Sequence, residues 1–180
     1  RVSAPRQLPL GVRLRDDATF AGYLAEGGNA AVVDWLTGAI ERVTGGDTGS
    51  GPERAWLWGP RGCGRSHLLQ ALCHAAVARG ERAILVDAAT LLDAPGVLEG
   101  LAACRVVALD DLDAVAGRRT HEEALLQLAE EMAAAGGLLA CAANTAPAGV
   151  QWALPDVGSR LAAGVVFRVA PLDDAALGRA

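Results

Sequence analysis

A short apolar run, Ala55 to Trp58, stops at a glycine and is followed by Gly59-Pro60-Arg61-Gly62-Cys63-Gly64-Arg65-Ser66. Residues 66–79 then keep a helical pattern, and Gly80 stands where a helix-ending glycine belongs. The spacing G-x-x-x-x-G-[KR]-S between a strand and a helix is the context in which such a loop cradles phosphate. Its glycines let successive backbone N–H groups converge on phosphate oxygens, and the helix N-terminus adds a dipole that favours negative charge. This reading assigns Gly59, Pro60, Arg61, Gly62, Cys63, Gly64, Arg65, Ser66 and the adjoining His67 to nucleotide binding, and it offers the Ser66 hydroxyl to Mg2+.

Arg65 stands where lysine is usual. Arginine is planar, bulkier and more weakly hydrated, so the exchange is not silent. All sixteen basic residues of the chain are arginine, which a coding bias would produce. A lysine in this loop nevertheless works as a point charge against the β- and γ-phosphates. The expectation is nucleotide binding with weak or absent intrinsic hydrolysis.

A second signal lies downstream. Val106-Val107-Ala108-Leu109 runs into Asp110-Asp111, with Asp113 close behind. An apolar strand ending in acid is the Walker B pattern: Asp110 would hold the Mg2+ water shell, and Asp111 stands where a water-polarising carboxylate belongs. Asp113 reads equally well as a surface charge. The next strand-like run, residues 138–143, ends at Asn144, which can sense the terminal phosphate or simply cap a turn. Leu154-Pro155-Asp156-Val157-Gly158-Ser159-Arg160-Leu161 precedes the last strand; there Arg160 reads as a surface residue or as an arginine finger reaching a neighbouring nucleotide.

Strand patterns at 55–58, 82–87, 105–109, 138–143 and 165–169 alternate with helical ones. The first helix follows Asn29, a candidate cap, and carries Val32, Val33, Trp35, Leu36, Ala39, Ile40 and Val43 at helical spacing. Residues 44–54 read as a flexible loop. A weaker, short helix is expected within 91–103. A helix over 120–135 has capping-box spacing between Thr120 and Glu123 and ends at Gly136-Gly137. Alternating strands and helices mean βαβ units and a parallel sheet with both faces covered. One strand separates the phosphate loop from the acidic pair, the arrangement of the class that includes AAA+ proteins. The expected organisation is an extended arm at 1–19 and a nucleotide-binding α/β domain at 20–180.

The 180 residues suffice for one core, and a net charge of −5 argues against a general nucleic-acid binder. No apolar stretch approaches a membrane span, no signal-peptide pattern is present, and the four cysteines lack paired spacing, so a reduced cytoplasmic setting is expected. The chain begins at Arg1, as a fragment would. His67, His74 and His121 show no ligand or triad spacing and read as structural.

Together, Asp16-Asp17-Ala18-Thr19-Phe20, residues 59–69, Asp110-Asp111 and the stretch from Leu154 to Leu161 resemble the DnaA-related AAA+ family, that of the bacterial replication initiator DnaA and its regulatory inactivator Hda. Arg65 looks like the Hda branch. The arm adds Gln7-Leu8-Pro9-Leu10-Gly11-Val12, which is similar to a sliding-clamp-binding peptide. Leu8, Leu10 and Val12 would fill apolar pockets while Gln7 hydrogen-bonds beside them.

The resemblance implies a three-layer P-loop fold with a five-stranded parallel sheet in the order 5-1-4-3-2, ADP or ATP with Mg2+ as ligands, and Arg160 as the finger. Thr19, Phe20 and Tyr23 would border the base. It implies docking on the DNA polymerase sliding clamp (its β subunit), indirect association with DNA through that clamp, stimulation of ATP hydrolysis by DnaA, and possible homo-oligomers. Neither the family's helical lid nor DnaA's DNA-binding domain is expected in this chain. Two other readings stay open: a self-sufficient ATPase acting as initiator or helicase loader, and a small-molecule P-loop kinase, which strand order and Arg160 disfavour.

Overall fold

The computed structural model describes residues 18–23, 29–45 and 52–171. Five parallel strands form one sheet: β1 (Glu53–Trp58), β2 (Ala83–Asp87), β3 (Val106–Asp110), β4 (Leu138–Ala143) and β5 (Val165–Arg168). Their spatial order is β2-β3-β4-β1-β5, the expected 5-1-4-3-2 read from the other edge. The helices are α1 (Ala30–Thr44), α2 (Arg65–Val77), α3 (Arg119–Ala134) and α4 (Asp156–Leu161).

β3 and β4 are buried along their whole length, as fits strands covered on both faces. The sheet divides two apolar clusters. One joins Leu36 and Ile40 of α1 to Leu68 and Leu72 of α2; the other joins Leu125 and Met132 of α3 to Leu109 and Trp56. α2 and α3 thus lie on opposite faces. The phosphate loop and the tips of β3 and β4 meet at the carboxyl edge, where α/β sheets bind ligands.

Both helix-ending glycines behave as read. Gly136 has φ 64°, and the N–H groups of Gly136 and Gly137 return to Ala133 and Met132 at 3.2 and 3.0 Å. Gly80, at φ 80°, repeats the motif after α2.

Three local expectations are corrected. Asn29 precedes α1 but makes no side-chain cap; its amide instead clamps Ala170, donating to the carbonyl and accepting from the N–H at 3.0 Å each. The Thr120–Glu123 capping box does not form. Helix α3 starts at Arg119 after Arg118, Glu123 pairs with Arg119, and Glu122 bonds the N–H of Gly117 at 2.7 Å. Residues 91–103 make separate 3-10 turns around Pro95 rather than one helix. Among the described residues, no helix is long and apolar enough to cross a membrane.

Candidate nucleotide site

The loop from Gly59 to Gly64 joins β1 to α2, and its backbone follows from two glycines. A Cβ on Gly59 would stand 2.4 Å from the carbonyl oxygen of Val169, which continues the β1–β5 pairing. Gly64 caps α2 at φ 96°, and a Cβ there would meet the Tyr23 ring at 2.7 Å. Only glycine fits both demands without strain. Tyr23 lies on the loop, its hydroxyl donating to the Cys63 carbonyl at 3.4 Å; burial pushes the phenol up to about 12, so it stays a neutral donor. Its ring is 5.4 Å from that of His67, and a ring nitrogen of His67 is 3.1 Å from the Thr19 carbonyl. Tyr23 is therefore packed against the loop, while Thr19 is exposed and meets His67 through its carbonyl; Cys63 is fully buried beneath the loop, and Pro60 and Arg61 are exposed.

Ser66, in the first turn of α2, stands beside Asp110 at the end of β3, where its hydroxyl favours the ionised carboxylate. Burial raises the Asp110 carboxyl above its ordinary range, partly offset by that hydroxyl and by the Asp111 N–H, which donates to Asp110 at 2.9 Å. A buried carboxylate beside a hydroxyl at a helix N-terminus suits Mg2+, which takes one or two protein oxygens and completes its shell with phosphate and water. Among the described residues, no group of three or more His, Cys, Asp or Glu is arranged to hold a metal.

Asp111 is the non-glycine residue with positive φ, 49°, among the described residues. Such a conformation at a site is backbone strain the surroundings must hold. It opens the 3-10 turn Leu112–Val115 and turns Asp111 toward the phosphate loop. Asp113, within that turn, accepts from both the backbone and side-chain N–H groups of Asn144, at 2.7 and 2.9 Å. It is therefore the residue that orients Asn144, not a bare surface charge.

Arg65 supplies the unexpected geometry. Its side chain is 7% exposed and crosses to the tip of β4. One guanidinium nitrogen bonds the Ala143 carbonyl; another donates to Asn144 Oδ1 at 2.9 Å and lies 3.8 Å from Asp111. Loop, acid pair and strand tip are thus joined by one planar fork that a lysine could not form.

Arg160 does not join this cluster. It sits on α4, over half exposed, 3.5 Å from Glu130 of α3. Gln7, Leu8, Leu10 and Val12 lie outside the described residues. Sequence reasoning passed over Arg54 and Glu122, both buried. Glu122 was traceable: with Leu125, Ala129 and Met132 it falls on the buried stripe of α3.

The family model of the ATPase family associated with various cellular activities (AAA) matches residues 55–168. The chain belongs to that family. The fold of this AAA domain resembles AMPPCP-bound DnaA from Aquifex aeolicus, with a TM-score of 0.74 and 19% identity over 87% of this chain and 51% of that one. Domain III of Thermotoga maritima DnaA gives 0.74 and 19%, over 91% and 71%. DnaI gives 0.70 and 16%, over 88% and 90%. The chain spans about half the length of the Aquifex DnaA structure. At these identities the likeness is one of fold.

Proposed function

We propose that this AAA domain is a nucleotide-holding regulator of DNA replication rather than an independent motor. In this reading it docks on the sliding clamp through residues 7–12 and stimulates hydrolysis of DnaA-bound ATP, lowering the frequency of initiation. The observation that carries the regulator half is the fork of Arg65 on Ala143, Asn144 and Asp111. Hydrolysis requires a free carboxylate and a free polar tip to orient water beside the third phosphate. Here the Arg65 guanidinium bonds the polar tip and stands 3.8 Å from the carboxylate. The site therefore favours ADP or an ATP that is kept.

In binding, the residues divide the work. Backbone N–H groups from Gly62 to Ser66 would cradle the phosphates, Ser66 and Asp110 would hold Mg2+, and Tyr23 with Thr19 would wall the base side. When bound, Mg2+ would supply charge neutralisation for the phosphates. Arg160, exposed and outside the cluster, is free to serve a neighbour's nucleotide as a finger. The replication context rests on the fold likeness to DnaA and DnaI together with the clamp-like peptide.

A second reading has its own support. Ser66, Asp110, Asp111 and Asn144 all stand at one edge of the sheet, the parts a self-sufficient ATPase needs. The deciding experiment loads DnaA with γ-labelled ATP, adds clamp on DNA, and follows phosphate release with and without the full chain. Release that needs both protein and clamp, and that Arg160→Ala abolishes, supports the regulator. Release indifferent to the protein, with ATP consumed by the protein alone, would favour the ATPase.

A further inference from the structure

Helix α4, which carries Arg160, is six residues long. A helix that short has no stability of its own in water, so its placement is set from outside. The Arg160–Glu130 contact does not set it: both side chains are over half exposed, and such pairs hold weakly.

Val157 and Leu161 bury its apolar side in the core, and two buried ionisable side chains hold its two ends. Arg54, inside β1 and 9% exposed, donates one guanidinium nitrogen to the Arg160 carbonyl at 2.5 Å and another to the Ala129 carbonyl at 2.8 Å. Ala129 is the neighbour of Glu130, so the fork ties α4 to α3 beneath the Arg160–Glu130 pair. Glu122, fully buried, takes the entry: its carboxylate accepts from Ala153 N–H at 3.0 Å and Leu154 N–H at 2.7 Å, immediately before α4, and from Gly117 N–H at 2.7 Å. One end of α4 is thus gripped by an anion and the other by a cation. Buried charges are poor stabilisers, and apolar residues of similar volume commonly do as well. Arg54 even leaves its Nε buried without a partner. Fold stability alone gives little reason for this pair.

We propose that Arg54 and Glu122 are positioning residues that fix the backbone of Arg160 while leaving its guanidinium free in solvent. The inference rests on the reading of Arg160 as a finger for a neighbouring nucleotide. A finger must arrive at a defined place, and misplacement by about an ångström can cost on the order of a hundredfold in rate. Arg54 and Glu122 would supply that placement without touching the nucleotide.

The test uses the full chain with Arg54→Met, Arg54→Lys, Glu122→Gln and Arg160→Ala. Three readouts are followed: phosphate release from DnaA-bound ATP on the DNA-loaded clamp, the protein's own nucleotide affinity, and amide exchange across 156–163. Arg54→Met should cut stimulated release at least tenfold and speed exchange in α4, with nucleotide affinity within about twofold of the parent. Arg54→Lys should recover part of the loss, and Glu122→Gln should resemble Arg54→Met. In the Arg160→Ala background, Arg54→Met should add less than about twofold, as expected of residues acting through one group. Unchanged α4 exchange, or full stimulation by Arg54→Met where Arg160→Ala has none, overturns the proposal and leaves the finger intact. Full stimulation by Arg160→Ala overturns the finger reading itself. If Arg54→Met fails to fold, Arg54→Lys and Glu122→Gln carry the same comparison.

Discussion

Arg65, the first residue of α2, donates to the side-chain carbonyl of Asn144 at the tip of β4, 2.9 Å away. The bond links the first turn of α2 to Asp113 through Asn144. Arg65→Lys should release Asn144 and Asp111, because an ammonium cannot span both partners. Intrinsic ATP turnover should rise at least tenfold, equivalent to about 1.4 kcal/mol of barrier, in a steady-state phosphate assay. Unchanged turnover would mean that Arg65 does not restrain the site.

Asp110 is raised by burial, so its ionised form costs the folded protein stability. The sign follows from linkage: with the folded value above the unfolded one, the acid form is favoured in the fold, and stability is lost as pH rises through the raised value. Asp110→Asn should therefore raise the melting temperature of nucleotide-free protein at neutral pH, by roughly 2–4 °C for each kcal/mol recovered in a domain of this size. The same variant should lose Mg2+-dependent nucleotide affinity. A lower melting temperature would show that Asp110 stabilises the fold as a carboxylate.

Gly64→Ala meets both a backbone at φ 96° and the Tyr23 ring. It should destabilise by about 1–3 kcal/mol, measured by chemical denaturation, and abolish nucleotide binding. Gly64→Ala combined with Tyr23→Ala should regain part of the stability by removing the clash while keeping the strain.

Asn29→Ala would leave the N–H and carbonyl of Ala170 without their partners. A loss of about 1–3 kcal/mol is expected in thermal or denaturant unfolding. Asn29→Asp, which keeps only the acceptor, should fall between the two.

Leu8→Ala with Leu10→Ala should weaken binding to the sliding clamp at least tenfold by surface plasmon resonance, about 1.4 kcal/mol, and leave nucleotide affinity unchanged. Equal clamp binding by the double variant would remove residues 7–12 from the account.

The phosphate loop and the alternation of strands and helices were legible because each rests on a local rule: glycine spacing between a strand and a helix, and apolar runs alternating with helical periods. The spatial order of the strands is implied by the resemblance to the DnaA-related family and not by any local pattern. Asp113 and Glu122 were harder. Their roles depend on partners 31 residues away, Asn144 for one and Ala153 for the other, and no periodicity reports such pairing. Asn29 shows the limit of a local rule, since its amide had a stronger offer from Ala170 across the fold than from the first turn of α1. By sequence Arg54 reads as the end of the flexible loop 44–54, but β1 already starts at Glu53, and α3 and α4 supply its partners from far along the chain.

A single-turnover experiment tests whether the site holds nucleotide without turning it over. The full chain is mixed in excess with labelled ATP and Mg2+, and bound nucleotide is recovered and identified over time. Saturable binding is expected with the recovered ATP intact, at a rate of loss far below the roughly 1 s⁻¹ at the slow end of ordinary enzymes. Prompt conversion of bound ATP to ADP and phosphate, with no other protein present, would contradict it.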